Sequence, residues 1–150
     1  MAEHHKELKA VTIVETTLVL VKPDGVKRAL SGEIIKRFEK RGLRLAALKM
    51  CRLSKEMAEN HYAEHVGKAF FPELVEFITS GPVVAMAVQG ENAIRVVRAM
   101  MGATNPLEAA PGTIRGDLAL RMANNVIHGS DGQESAIREL AMFFRTDEIF

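Results

Sequence analysis

TTLVLV, residues 16–21, is the stretch of sequence that decides the fold. Two threonines are followed by four aliphatic residues, and such a run is typical of a strand buried at the centre of a sheet. The segment KPDG (22–25) follows at once and carries the proline, aspartate and glycine of a turn. We therefore predict a central strand that ends at Val21 and a turn that leads toward a helix.

The first helix is predicted from residue 31 onward. Ser31 is of a residue type that caps helices, and Ile34, Ile35 and Phe38 share one face by their spacing. Gly42 then provides a common C-terminal stop. The same signals predict strands at 43–50 and 83–88, a helix capped by Ser54 that runs to Tyr62, and helices at 71–80, 91–101 and 133–144.

The C-terminal third of the chain is less regular. No apolar period is visible from Ala103 to about Gly116, and a long structureless loop in a small domain is more often functional than idle. We place a short fourth strand at about 118–121, before the segment that contains His128. Strands and helices that alternate in this way predict an α/β (α+β) sandwich in which helices cover one face of a single sheet.

Size and composition limit the classes of function. The chain has 150 residues, 47% hydrophobic and 26% charged, which predicts one domain over 1–150 with residues 1–11 as a flexible N-terminal extension. The formal net charge is +1 and no block of like charge occurs, so neither nucleic acid nor a membrane surface is an expected partner. Because the sequence shows no signal peptide and no apolar stretch that could span a bilayer, we expect a cytoplasmic protein.

HYAEH (61–65) matches the H-x-x-E-H pattern of one class of zinc peptidases. On a continuous helix, His61 and His65 would face the same way and could share a metal ion. A hydrolytic zinc site needs a third protein ligand, however, and the sequence marks none. The alternative is an ordinary amphipathic surface helix, and five-residue patterns often match by chance.

NNVIHGSDG (124–132) allows two interpretations of His128. Ser130 and Gln133 fit a capping box, in which case the histidine lies in a turn before the last helix. Alternatively, the N-terminus of that helix favours an anion, so that a phosphoryl group could be held beside a nucleophilic imidazole. Ser130 or Glu139 could then orient the ring. These residues alone leave both interpretations open.

Matches along the rest of the chain favour the second interpretation. The segment from Asn125 to Gly132 resembles the active-site pattern of nucleoside diphosphate kinases. Further segments are similar to that family in the same order: LVKPDGV (20–26), HYAEHVGKAFF (61–71), SGPVVAM (80–86), MGATNP (101–106), PGTIRGD (111–117) and the closing ESA…E…FF (134–144). The resemblance extends from about Thr16 to the C-terminus, and so many ordered matches are more specific than any single short motif.

The resemblance implies a fold and a reaction. The fold is a ferredoxin-like βαββαβ sandwich with a four-stranded antiparallel sheet, added helices and the long loop at about 103–116. The reaction transfers the γ-phosphoryl group of a nucleoside triphosphate, usually ATP, to a nucleoside diphosphate, with broad tolerance of base and sugar. It proceeds by a ping-pong mechanism through a phosphohistidine on His128, whose Nδ1 atom attacks. Mg²⁺ is the implied cofactor, held by the nucleotide phosphates and not by protein ligands.

The resemblance also implies the residues of the site. The catalytic set is His128 with Lys22, Tyr62, Asn125, Ser130 and Glu139, of which Ser130 and Glu139 would fix the imidazole and its tautomer. The nucleotide-binding set is Lys22, Phe70, Leu74, Arg98, Thr104, Arg115, Met122 and Asn125. Lysine and arginine in this set would bind phosphate oxygens, Asn125 a sugar hydroxyl, and Phe70 one face of the base.

Two features bear on variation within the family. Met122 stands where a smaller aliphatic residue commonly touches the base, and the chain ends soon after the last helix, as in bacterial members. We expect a homo-oligomer, either a hexamer or a tetramer built from dimers. The alternative function is a catalytically silent nucleotide-binding or interaction module of the same fold. Such a module would have lost some of its key residues, and the chain keeps Lys22, Arg98, Arg115, Asn125 and His128.

Overall fold

The computed structural model describes residues 13–150. The predicted N-terminal extension, residues 1–11, lies outside the described residues, so the extension and the single domain over 1–150 stay predictions. The strands are β1 (Val14–Val21), β2 (Arg44–Cys51), β3 (Val83–Glu91) and β4 (Ile127–Gly129). The α-helices in this part of the chain are α1 (Pro23–Lys27), α2 (Ser31–Arg41), α3 (Lys55–His61), α4 (Phe71–Ile78), α5 (Ala93–Met101), α6 (Ile114–Leu118) and α7 (Gln133–Phe143). None of these helices is long and apolar enough to cross a membrane.

The sheet has the strand order β2-β3-β1-β4, and every pair of neighbours is antiparallel. β1 pairs with β3 along its whole length, and the last three residues of β1 also pair with β4. The predicted central strand at 16–21 is therefore confirmed. The order of strands and helices gives the predicted ferredoxin-like, four-stranded antiparallel α+β fold.

Helices cover both faces of the sheet, so the prediction of one covered face was wrong. Val19 and Val21 belong to a core with residues of α2, α5 and α6, whereas Leu18 and Leu20 belong to a second core with residues of α3, α4 and α7. All four of these strand residues have no exposed surface. The reason is already present in β1: since apolar side chains alternate to both sides of a strand, both sides require a cover.

The fourth strand lies later in the chain than predicted. Residues 114–118 form α6, and Arg121 makes only an isolated bridge to Asn124, whereas β4 spans 127–129 and contains His128. A three-residue edge strand has too few residues to show a period of two. The segment 103–116 is also not structureless, because it holds a 3-10 helix at Pro106–Glu108 and the start of α6.

Helix caps were predicted with mixed success. Ser54 caps α3, as predicted, by accepting a hydrogen bond from the N–H of Met57 at 3.1 Å. Ser31 is instead the first residue of α2 and makes no cap bond. Ser130 does not cap α7, because the N-cap is Gly132, whose N–H donates to Oγ of Ser135 at 3.0 Å. His128 therefore lies on a strand, five residues before the helix begins.

Candidate active site

One cavity of about 270 Å³ collects most of the predicted site residues. It lies where β1 and β4 meet: Leu20 pairs with His128, and the backbone N–H of Lys22 donates to the carbonyl of Val126 at 2.8 Å. The predicted residues that line it are Lys22, Tyr62, Arg98, Thr104, Arg115, Asn125, His128 and Glu139. The fold thus brings together residues that are more than a hundred positions apart in the chain.

His128 is held by a buried carboxylate. Its Nε2 lies 2.8 Å from Oε1 of Glu139, which also accepts a hydrogen bond from Oγ of Ser130 at 2.8 Å. Because a carboxylate only accepts hydrogen bonds, Nε2 carries the proton in the neutral ring, and Nδ1 then keeps its lone pair. Ser130 does not line the cavity but acts on the imidazole through Glu139. The result is one defined tautomer with a free Nδ1.

Glu139 remains charged in spite of its burial. Burial alone would raise the pKa of this carboxyl group, but the hydrogen bond from His128, the charge of that imidazole and the hydrogen bond from Ser130 together lower it below the ordinary value. Arg138 contributes little, since its Nη2 lies 3.9 Å from Oε2 of Glu139 and its side chain is half exposed. A carboxylate at this position can stabilise positive charge on the ring of His128.

Lys22 supplies an ammonium group to the same cavity. Its Nζ donates to Oδ1 of Asn125 at 2.7 Å, and Nδ2 of Asn125 donates to the carbonyl of Thr104 at 3.1 Å. Burial of the ammonium, with a further contribution from the charge of Arg115, lowers the pKa of Lys22 to about 8, although Asp24 acts in the other direction. Lys22 is therefore a cation whose charge depends on pH near neutrality.

The two arginines of the site are held differently. Arg115 is 4% exposed and donates to three backbone carbonyls: Nη1 to Gly102 at 3.1 Å, Nη2 to Ile127 at 2.8 Å and Nε to Asn125 at 3.4 Å. Burial and the nearby charge of Arg98 lower the pKa of Arg115 to about 10, so it stays positive at neutral pH. Arg98 is exposed and makes one bond, from Nη1 to the carbonyl of Gly129 at 3.2 Å. Arg115 thus fixes the backbone as well as supplying charge.

The backbone beside the site is strained. Val126 has φ of 74°, a conformation that β-branched residues rarely adopt. Oδ2 of Asp24 accepts a hydrogen bond from the N–H of Val126 at 3.1 Å, and the carbonyl of Val126 is bonded to Lys22. Asp24 was predicted only as a turn residue, and the sequence carries no signal for this long-range bond.

His61 is buried, although its motif has the pattern of a surface helix. It is 4% exposed, and its ring packs edge-to-face against the ring of His128 with centroids 4.5 Å apart. Burial and the nearby charge of His128 lower the pKa of His61 to about 3, so its imidazole is neutral. Helix α3 ends at His61 and His65 lies in a 3-10 turn, so the predicted shared helix face of the pair is absent and the HYAEH zinc hypothesis loses its basis.

Tyr62 follows His61 directly and also lines the cavity. Its ring lies 4.7 Å from that of His61, centroid to centroid. Burial and the charge of Glu139 raise the pKa of the Tyr62 hydroxyl to about 12, so it stays protonated as a hydrogen-bond donor.

Three of the predicted nucleotide contacts lie outside the cavity wall. Phe70, Leu74 and Met122 are not among the residues that line it. The ring of Phe70 is 46% exposed and lies 5.4 Å from the ring of His65, which does line the cavity, and Met122 is 60% exposed. The cavity wall also includes residues outside the predicted catalytic and nucleotide-binding sets: His61, Glu64, His65, Gly129, Asp131, Ser135 and Arg138.

Comparisons with known proteins bear on the family and the fold of the chain. A family model described as nucleoside diphosphate kinase matches residues 15–149. Proteins named nucleoside diphosphate kinase from Archaeoglobus fulgidus and Rubrobacter xylanophilus are 61% and 66% identical to this chain, over 91% and 87% of it and 90% and 98% of their own lengths.

Solved structures give the same result. The structure of a nucleoside diphosphate kinase from Halobacterium salinarum in complex with CDP superposes with a TM-score of 0.90 at 51% identity, over 92% of each chain. The nucleoside diphosphate kinase of Aquifex aeolicus superposes with a TM-score of 0.89 at 43% identity, over 92% of this chain and all of its own. The family predicted from the ordered motifs is confirmed: this chain belongs to the nucleoside diphosphate kinase family.

Proposed function

We propose that this protein transfers the γ-phosphoryl group of a nucleoside triphosphate to a nucleoside diphosphate through a phosphohistidine on His128. One observation carries the proposal: Nε2 of His128 is bonded to buried Glu139, which leaves Nδ1 free beside the cationic side chains of Lys22, Arg98 and Arg115. A nucleophile with a defined lone pair and a cluster of positive charge are what phosphoryl transfer requires.

In the first half-reaction, Nδ1 of His128 forms a bond to the γ-phosphorus. The bond between that phosphorus and the bridging oxygen breaks, and the diphosphate leaves with the electron pair. The ring then carries the phosphoryl group on Nδ1 and the proton on Nε2, and its positive charge is stabilised by Glu139. Lys22 and the two arginines stabilise the negative charge of the phosphate oxygens.

In the second half-reaction, a terminal phosphate oxygen of another nucleoside diphosphate attacks the phosphorus. The nitrogen–phosphorus bond breaks and its electron pair returns to Nδ1. Asn125 is proposed to bind the sugar, Thr104 a phosphate oxygen, and Phe70 with Leu74 and Met122 the base. Tyr62 is proposed to support the imidazole. Because the phosphoanhydride bond broken in one nucleotide is equivalent to the bond formed in the other, the reaction is readily reversible.

Mg²⁺ is proposed to arrive as part of the substrate, bound to the nucleotide phosphates. The donor set of the cavity supports this, since its carboxylates are Glu64, Asp131 and Glu139, and Glu139 is already bonded to His128 and Ser130. Mg²⁺ retains waters and shares phosphate oxygens in such sites, so it needs no cage of protein ligands.

A catalytically silent module is the disfavoured alternative. A module that only binds a nucleotide would not require an imidazole whose tautomer is fixed by a buried carboxylate, because that contact is useful for nucleophilic attack. Cytoplasmic location, a homo-oligomer and the absence of nucleic acid among the partners remain predictions of the same proposal.

The decisive experiment follows the phosphoryl group. Wild-type protein is incubated with γ-labelled ATP and Mg²⁺, and the label is expected on the protein in an acid-labile, base-stable form that passes to added GDP. His128→Ala should lose at least about 10⁴-fold of the transfer rate, as expected for removal of a nucleophile. His65→Ala serves as a control for loss of an imidazole from the same cavity wall and should still be labelled. No label on the wild type, or equal label on His128→Ala, contradicts the mechanism.

A further inference from the structure

We propose that His61, His128 and Glu139 form an inhibitory Zn²⁺ site. Among residues 13–150, these three are the one group of histidine, cysteine, aspartate or glutamate side chains found close enough to share a metal ion, with one ligand atom of each within 4.8 Å of the others. The inhibitory effect rests on the proposed function, because it acts by occupying the phosphoryl acceptor. Binding of Zn²⁺ to the three side chains does not depend on the proposed function.

His61 is the side chain that points to a ligand. It is 4% exposed, and neither of its ring nitrogens has a hydrogen-bond partner within the described part of the chain. A buried polar group without a partner is unfavourable and uncommon. A metal ion bound to one nitrogen would provide the missing partner, and the neutral imidazole is the form that binds metals.

The distances require only small rearrangements. A tetrahedral zinc ion with bonds of about 2.0–2.1 Å keeps its ligand atoms roughly 3.3 Å apart. Nε2 of His128 and Oε1 of Glu139 are 2.8 Å apart. The centroids of the His61 and His128 rings are 4.5 Å apart, and the rings meet at an interplanar angle of 76°. Shifts of about 0.5–1.5 Å would bring the three ligand atoms, which lie within 4.8 Å of one another, to that separation. The fourth position would face the cavity and could hold a water molecule.

Zn²⁺ on His128 stops phosphoryl transfer whichever nitrogen it binds. On Nδ1 it occupies the nucleophile directly. On Nε2 it displaces the hydrogen bond to Glu139, and the single proton of the neutral ring moves to Nδ1, which then has no lone pair for attack. Mg²⁺ does not compete, because it prefers oxygen ligands and keeps its water. The site is therefore expected to discriminate between these two metals.

Binding is tested first, in the absence of nucleotide. Zn²⁺ affinity is measured by competition with a chromophoric chelator. The sequence also contains His4 and His5, so every protein carries His4→Ala and His5→Ala to remove that alternative site. In this background the protein should bind one equivalent of Zn²⁺. His61→Gln should weaken binding at least about tenfold, as loss of even an outer partner of a metal site can. The matched control, His65→Ala, removes the other histidine of the motif and should bind as the background does.

The outcomes separate this proposal from the proposed function. Equal Zn²⁺ affinity of His61→Gln and the background protein, or equal loss in His65→Ala, overturns the metal site. Absence of phosphoryl transfer in zinc-free buffer would contradict the proposed function and leave the binding result intact. With transfer established, buffered free Zn²⁺ in excess Mg²⁺ should slow labelling of His128, and His61→Gln should need at least about tenfold more Zn²⁺ for the same effect.

One measurement needs no substitution at His61. Imidazole ¹⁵N resonances of the background protein should shift for both His61 and His128 on addition of Zn²⁺ and stay in place with Mg²⁺. A shift of the His65 resonances alone, or no shift of the His61 resonances, refutes the site even if His61→Gln fails to fold.

Discussion

The proposed phosphate end of the site, formed by Lys22, Arg115, Asn125, His128 and Glu139, differs sharply from the proposed base end, formed by Phe70, Leu74 and Met122. At the phosphate end, each polar side chain is bonded to a backbone carbonyl or to another side chain of the site. At the base end, Phe70 is 46% exposed and Met122 is 60% exposed.

This difference indicates which end of the site is held rigidly by the fold. Groups that stabilise developing charge act best when they are already oriented, because no reorganisation is then needed during the reaction. Contacts to the base need only an apolar surface, since every base has a face on which an aromatic ring can stack. We therefore expect substitutions at the phosphate end to lower kcat, and substitutions at the base end to raise KM slightly.

After the loss of the nucleophile in His128→Ala, the largest expected effect is that of Arg115→Ala. It removes a positive charge and the three bonds to the carbonyls of Gly102, Asn125 and Ile127. We expect kcat/KM to fall by at least about 100-fold, as for loss of one charge-stabilising donor, and the free energy of unfolding to fall by about 3 kcal/mol. Steady-state kinetics and urea unfolding measure the two effects. A variant with wild-type stability would show that Arg115 does not fix the backbone.

Arg98→Ala is the matched control for this prediction. Arg98 is exposed and makes one bond, to the carbonyl of Gly129. Its removal should lower kcat/KM while changing the free energy of unfolding by less than about 1 kcal/mol. Equal destabilisation by both substitutions would remove the distinction between a structural and a purely electrostatic arginine.

The next effect is that of Glu139→Gln. The amide retains the shape of the carboxylate but lacks the charge that stabilises the phosphorylated ring, and it can present a donor to His128 in place of an acceptor. We expect kcat to fall on the order of 10- to 100-fold with little change in KM. Rapid-quench measurement of His128 labelling, together with the imidazole ¹⁵N shifts, reports whether the tautomer has changed. An unchanged labelling rate would mean that Glu139 does not position the ring.

Helices and strands with a long apolar pattern of their own could be predicted from the sequence. β1 and the helices around Val97 and Phe38 carry long apolar patterns, and the pattern does not depend on the rest of the fold. β4 could not be located in this way, because three residues beside a polar loop show no period. The cap prediction failed at Ser130 because Gly132 is the N-cap of the last helix, and the hydroxyl of Ser130 instead donates a hydrogen bond to Glu139.

The site could be predicted as a set of residues but not as a set of contacts. Lys22, Arg115 and His128 are part of ordered motifs, whereas the bonds of Arg115 depend on two backbone segments, at Gly102 and at 125–127, that only the fold brings together. The burial of His61 could not be predicted because HYAEH has the composition of a surface helix. The hydrogen bond of Asp24 could not be predicted because its partner, Val126, is more than a hundred residues away.

Lys22 predicts an alkaline limit to activity. Its pKa of about 8 in the folded protein lies below the ordinary value of 10.5, so its charge is lost as the pH rises through about 8. We expect kcat/KM to fall by up to about tenfold per pH unit above that value. Stability should move the other way: between about 8 and 10.5 the unfolded chain binds the proton that the folded protein has released, so the Lys22 contribution rises with pH.

The test compares pH profiles of the wild type and Lys22→Arg. A guanidinium stays charged over this range, so the alkaline decrease should be absent in the variant even if its rate at neutral pH is lower. A profile that keeps the same decrease would assign the ionisation to another group.

The smallest effect is expected at the base end, for Phe70→Ala. Loss of a stacking surface typically weakens binding by about 1–3 kcal/mol per base, and the exposure of Phe70 favours the lower limit. KM for a nucleoside diphosphate should therefore rise about fivefold, by a similar factor for a purine and a pyrimidine, while kcat stays near the wild-type value. Phe70→Trp should preserve stacking and restore KM, which a general loss of structure would not allow. Steady-state kinetics with a purine and a pyrimidine nucleoside diphosphate measures KM and kcat for both classes of base. A large decrease in kcat, or a loss confined to one class of base, would mean that the base end is as closely organised as the phosphate end.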